Sequence, residues 1–260
     1  MKTGIVIYGT DPTQPALALE MAENLFIRFG KRMASAGFLK FVARNGEKFI
    51  DDQEVPPADL REGISAEKIT AFHVCGGDAA ISFGYNVPAY GGLSFIDAQI
   101  DGSIYKIDEE VGRFLENVAV YLNFKYAIAY NADNSSTAYK YSTGVNLVGI
   151  FPFENTSLFT RELRGRSPGS ASYEGRKLRM VYPLSVLNES HLGIRLNDLS
   201  LREWIEADSS RGSLRSIPNN MWLWSVKEAD LFEVNSACGE AGILLAWQKA
   251  PGNRPARKLP

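Results

Sequence analysis

Between Thr3 and Tyr130, short apolar runs alternate with two amphipathic stretches in the order strand–helix–strand–strand–helix–strand. No other feature of the chain restricts its fold as much. Thr3–Tyr8 is a β-branched run ending at Gly9, which reads as a strand. Pro15 suits the first turn of a helix whose Leu17, Met21, Leu25, Phe29 and Met33 fall on one stripe, with Gly37 as its stop. Residues 38–66 read as mixed: a loop through Asp51-Asp52-Gln53-Glu54 and Pro56-Pro57, then a short helix over Ala58–Ile64. Gly76-Gly77-Asp78 opens a strand near 79–85, and a loop with Pro88 and Gly91-Gly92 leads to another near 93–100. Asp108 is the predicted N-cap of a helix carrying Val111, Phe114, Leu115, Val118 and Leu122, and Tyr126–Tyr130 closes the set. This is the split βαβ, or ferredoxin-like, order: an antiparallel sheet with helices on one face.

The remainder reads in the same order. Lys177–Tyr182 is a strand broken by Pro183. Ser200-Leu201-Arg202-Glu203 is a capping box opening a helix. Leu214–Ile217 and Met221–Val226 form a hairpin, Ser225-Val226-Lys227-Glu228 is a second capping box, and Ile243–Trp247 is a last strand. The predicted fold class is therefore α+β, two ferredoxin-like (βαββαβ) halves with mainly antiparallel sheets: 1–150, then 151–250, then a disordered tail over 251–260. Gly144–Phe153 reads as an extra strand between the halves, and 164–176, rich in Gly, Ser and Arg, as a loop.

Charge excludes some partners. The formal net charge is −2, with −5 on residues 1–150 and +3 on 151–260, so no positive field points to nucleic acid or a membrane surface. Two cysteines, Cys75 and Cys238, in 260 residues suit a reducing compartment. No apolar run approaches the roughly 20 residues of a membrane helix, and Gly4–Tyr8 is too short for a secretory core. The expected location is cytoplasmic.

Catalytic signatures are sparse. Only His73 and His191 could serve a hydroxyl or thiol nucleophile as imidazole bases. His73 and Cys75 share a face if they lie on a strand, as a thiol–imidazole pair or half a metal site would, yet no second ligand pair follows. Core packing explains them better. Phosphate-loop and dinucleotide glycine patterns are absent, as is the zinc-protease helix motif. Trp222 and Trp224 alternate onto one strand face without the interleaved Arg and Lys of a base-stacking platform, and read as core. No enzyme, metal or cofactor is predicted.

The long first helix, Phe38-Leu39-Lys40-Phe41, the turn at Asn45-Gly46-Glu47, Phe49, and Ala58-Asp59-Leu60-Arg61-Glu62 resemble a bacterial immunity-protein family, immunity family 52. So do Ala79–Tyr85 with Leu93–Ile100, Leu201–Ile205 through Gly212-Ser213-Leu214, Leu223–Val226 and Gly242–Trp247. Such proteins accompany polymorphic or type VI secretion toxins, often nucleases, and bind the toxin in the cytosol. The resemblance implies a cognate toxin as partner, with no direct nucleic-acid contact and no membrane. Carboxylates could occlude a cation-lined nuclease site while apolar anchors supply affinity. One candidate set is Phe49, Asp51, Asp52, Glu54, Asp59 and Glu62; a second is Asp97, Asp101, Asp108, Glu109 and Glu110. Blocking toxin oligomerisation is a further route. The alternatives are a small-molecule enzyme with His73 or Cys75 in its pocket, and a ligand-sensing module.

Overall fold

A computed structural model describes residues 1–144, 147–163, 165, 167 and 169–249. The elements of its first part are β1 (Lys2–Tyr8), α1 (Pro15–Arg28), β2 (Met33–Arg44), β3 (Glu47–Val55), α2 (Pro57–Ser65), β4 (Phe72–Gly76), β5 (Ile81–Asn86), β6 (Phe95–Asp101), α3 (Ile104–Tyr121), β7 (Tyr126–Ala132) and α4 (Ser135–Thr143). The second part contains α5 (Thr156–Thr160), β8 (Leu184–Asn188), α6 (Glu189–Leu192), β9 (Arg195–Leu196), β10 (Leu199–Ser200), α7 (Leu201–Glu206), β11 (Ser213–Ile217), β12 (Met221–Ser225) and α8 (Leu231–Glu240).

Among the described residues one ten-stranded sheet runs β11-β12-β8-β7-β1-β6-β5-β4-β2-β3, every neighbouring pair antiparallel. The α+β, mainly antiparallel class is what the sequence predicts. At the centre, β7-β1-β6-β5 with α1 and α3 on one face reproduces the βαββαβ order. The segment β2-β3-α2-β4, inserted between α1 and β5, widens the sheet beyond β5. On the other side β8, β12 and β11 continue it from β7, so the two sequence halves share a single sheet.

Several expectations are corrected. The first helix stops at Arg28 rather than near Gly37. Gly30, at φ +63°, ends it by a paired turn in which its N–H reaches the Ile27 carbonyl and that of Lys31 the Phe26 carbonyl. Met33 and Gly37 therefore belong to β2. Asp51–Glu54 are not loop but β3, folded back on β2 by Asn45 and Gly46, both with positive φ. Asp108 is no N-cap: α3 starts four residues earlier, and Asn131 of β7 accepts the Ile104 N–H at 2.8 Å.

The second half is not another βαββαβ unit. Its first strand follows Pro183 instead of preceding it, because the backbone of 178–181 is bonded to 243–246 and to the Asn235 side chain rather than to the sheet. Ser200 and Glu203 form the capping box as read, but Ser225 ends β12 and α8 begins only at Leu231. Ile243–Trp247 contributes isolated bridges to Leu178 and Glu154, not a sheet strand. No strand lies in 144–153 among its described residues. The tail over 251–260 lies outside the described residues, as do Arg164, Arg166 and Pro168 of the Gly/Ser/Arg segment.

Two apolar layers sandwich the sheet. One joins Ile5, Ile7, Ile96 and Ala98 to α1, α2 and α3; the other joins Val6, Tyr8, Tyr126, Ile128 and Tyr130 to α4, α5, α7 and α8. Burial of both faces explains why β1 and β7 read as continuous apolar runs rather than alternating ones. The second layer stops at α4, which packs on β1, β6 and β7. Beyond it, no helix of the described residues covers the same face of β5, β4, β2 and β3.

Candidate functional site

That uncovered face forms a groove of about 450 Å³ between α4 and the β2–β3 hairpin. Strand alternation fixes what points into it. On β5, Ile81, Phe83 and Tyr85 enter the core while Ser82 and Asn86 face the groove. On β4, Phe72 and Val74 are core and His73 and Cys75 face outward; β6 adds Asp97 and Gln99, and β3 adds Asp52.

Asp97 is the chemical centre of the groove, with only 4% of its surface exposed. Its carboxylate accepts from Gln99 Nε2 at 2.6 Å and from Asn86 Nδ2 at 3.1 Å, both neutral donors. Gln99 in turn accepts from Ser82 Oγ. Gly84, paired with Asp97 across the strands, makes room: a Cβ there would lie 2.6 Å from Asp97 Oδ1. Burial pushes the Asp97 carboxyl up to about 6, against the lowering effect of its two amide donors.

Across the floor, His73 Nδ1 lies 3.8 Å from Asp52 Oδ1. Its ring rests over Gly37, where a Cβ would meet it at 2.5 Å. Burial, then the charge of Asp97, raises the Cys75 thiol, which opposes the thiolate a nucleophile or metal ligand requires. Among the described residues no group of three or more His, Cys, Asp or Glu is placed to hold a metal. No helix of the described residues is long and apolar enough to cross a membrane.

The rim is apolar. Phe41 is 38% exposed and stacks on Tyr90 at 4.8 Å, with Lys48 Nζ 3.8 Å over its ring. Ile50, opposite Phe41 in the hairpin, is 50% exposed. Tyr139 of α4 forms the other wall.

The structure divides both predicted acidic sets. In β3, Asp52 and Glu54 share the groove-side face while Phe49 and Asp51 point to the opposite one, where Asp51 meets Gln53 and, at 3.8 Å, Arg44. Asp59 and Glu62 are exposed on α2, on that opposite layer. Of the second set only Asp97 enters the groove. Asp101 pairs with Lys2; Glu109 and Glu110 pair with Arg113, and Glu110 also with Arg28 at 3.0 Å. Asp108 and Glu109 border a separate hollow with Arg113 and Arg215.

His191 is buried; it completes a capping box with Asn188, its Nε2 lies 2.7 Å from the Tyr173 carbonyl, and burial lowers it to about 4. Trp224 is core, and Trp222 lies under Arg202. Ser82, Gly84, Asn86 and Gln99 are not among the residues the sequence predicts for a site. The signal was present, since Ser82-x-Gly84-x-Asn86 and Asp97-x-Gln99 are polar positions alternating with core ones.

No protein-family model matches the chain, and no curated protein matches it. Among solved structures, the Pseudomonas aeruginosa T6SS protein PA0821 superposes with a TM-score of 0.54 at 13% identity, over 96% of this chain and 76% of that one. The two share a fold. At such identity the likeness extends no further, and the groove's chemistry stands on this chain's own residues.

Proposed function

We propose that this chain is an immunity protein that binds and neutralises a cognate secreted antibacterial toxin, a nuclease effector of a type VI secretion system, in the cytoplasm of the producing cell. The observation that carries the reading is the uncovered half of the sheet. An open, carboxylate-bearing groove lies beside a hairpin whose Phe41 and Ile50 stand in solvent. Exposed apolar anchors beside acidic groups suit a cation-rich protein surface. The resemblance to immunity family 52 and the likeness in fold to a T6SS protein support the same reading.

The test is co-expression with the product of the neighbouring gene, read by co-purification and growth rescue. Ile50→Lys with Phe41→Ser is expected to weaken the complex by about tenfold or more, because a buried anchor pair contributes at least ~1.4 kcal/mol. A chain that neither co-purifies with nor rescues from any neighbouring product refutes the reading.

A second reading, a small-molecule enzyme or ligand sensor, draws on His73, Cys75 and Asp52 meeting in one groove of ligand size. Rescue that survives His73→Ala and Cys75→Ala removes enzymatic action as the basis of protection.

A further inference from the structure

We propose that the groove is a socket for a guanidinium or ammonium group, carried by a basic side chain of the docked protein, with Asp97 as its counter-ion. The proposal rests on the immunity reading for the source of the cation, and on the groove alone for its chemistry.

The charge in the groove is unbalanced. A carboxylate removed from water normally has a cation beside it, because burial of an unpaired charge costs several kcal/mol. Asp97 is almost wholly buried, yet among the described residues no Lys or Arg lies within ion-pairing distance. Its partners are the neutral amides of Gln99 and Asn86. They fix the carboxylate without neutralising it.

The groups facing it from every packed element agree. β5 offers Ser82, Gly84 and Asn86, β4 offers His73 and Cys75, β3 offers Asp52, α4 offers Ser135 and Tyr139, and β7 brings Tyr130 near, its hydroxyl donating to the Ala138 carbonyl. None is a lysine or an arginine, and the second charged carboxylate, Asp52, has the same sign. Gly84 and Gly37 keep the floor low where any side chain would fill it. The result is a cavity with the right sign and a fixed acceptor geometry for a charge-assisted hydrogen bond. The exposed Phe41 and Ile50, paired on the hairpin two residues beyond the groove-lining Leu39 and Asp52, indicate a macromolecular surface rather than a free metabolite as the carrier. Because burial holds the Asp97 carboxyl near 6, the socket is charged above that pH and loses its attraction below it.

The experiment has two arms on the full chain. In the first, N-ethylguanidinium is titrated at pH 7.5 while the side-chain amide resonances of Gln99 and Asn86 are followed by NMR, with N-ethylurea as the uncharged control. Saturable shifts with the cation only, absent from Asp97→Asn, are expected; equal responses to both compounds, or an unchanged response in Asp97→Asn, overturn the socket. In the second arm, affinity for the neighbouring gene product is measured. Asp97→Asn is expected to reduce it about tenfold or more at pH 7.5, with the difference shrinking at pH 5. Guanidinium binding with unaltered partner affinity overturns the protein source and leaves a small-cation site. A chain that binds no neighbouring product but still titrates does the same, and in addition removes the immunity reading.

Discussion

At the scale of single residues, Asp97 dominates because its position is costly to the free protein. Its folded carboxyl near 6 lies above the ordinary 3.8, so the folded state holds the proton more tightly than the unfolded one. The contribution of Asp97 to stability is therefore most favourable below about pH 4, falls as pH rises through 6, and carries the full cost above that. The difference corresponds to about 3 kcal/mol. Asp97→Asn should stabilise the free chain by roughly 1 to 3 kcal/mol at pH 7.5 and by almost nothing at pH 4, as measured by urea unfolding. An equal effect at both pH values would show that hydrogen bonding, not charge, sets the cost. Both Asp52 and Asp97 are visible in the sequence as candidates. Their meeting is not, because they lie 45 positions apart, and only the register that seats Gly84 beside Asp97 and Gly37 beside His73 brings them to one face.

At the scale of elements, legibility followed the range of the signal. Local signals were readable: the Ser200 capping box, the β1 run and the short helix after Pro56 all stand in the structure. The predicted first helix runs past its true end because Met33 continues its stripe, whereas the backbone at Gly30 decides where it stops. The second half of β3 reads as loop because Asp51, Asp52 and Glu54 mask its period of two; at a sheet edge such charges are tolerated and discourage unwanted pairing. Its turn depends on Gly46, at φ +80° with open space around its Cα. Replacement there is sterically free, so any penalty is conformational. Gly46→Val should cost about 1 to 2 kcal/mol, seen as faster amide exchange in β2 and β3, with the thermal midpoint of the central sheet moved little. Protection unchanged at Phe49 and Ile50 would count against the turn as the hairpin's clasp.

At the scale of the whole molecule, the boundary suggested near residue 150 falls within one sheet, and a buried polar network ties the two sides together. Arg179 Nη1 donates to Tyr8 Oη at 3.0 Å, across 171 positions, and to the Tyr141 carbonyl at 2.7 Å. Its Nε lies 3.6 Å from Glu154, and its guanidinium sits 3.5 Å from the centre of the Tyr141 ring. Tyr141 Oη donates to Glu154 and meets Tyr182 Oη at 2.6 Å. In sequence Arg179 reads as a charge within an apolar run, since nothing local reveals a partner in β1. An arginine cannot shed its proton to escape burial, so removing only its carboxylate leaves a cation stranded. Glu154→Gln should therefore cost about 3 to 5 kcal/mol, while Glu154→Leu combined with Arg179→Met should cost less than the two single changes added together. Because β1 lies at the centre of the common sheet, the loss should appear as one earlier urea transition by tyrosine fluorescence and far-UV circular dichroism alike. Two separated transitions, with only one moved, would mean that the network stabilises its own layer and not the sheet that carries the groove.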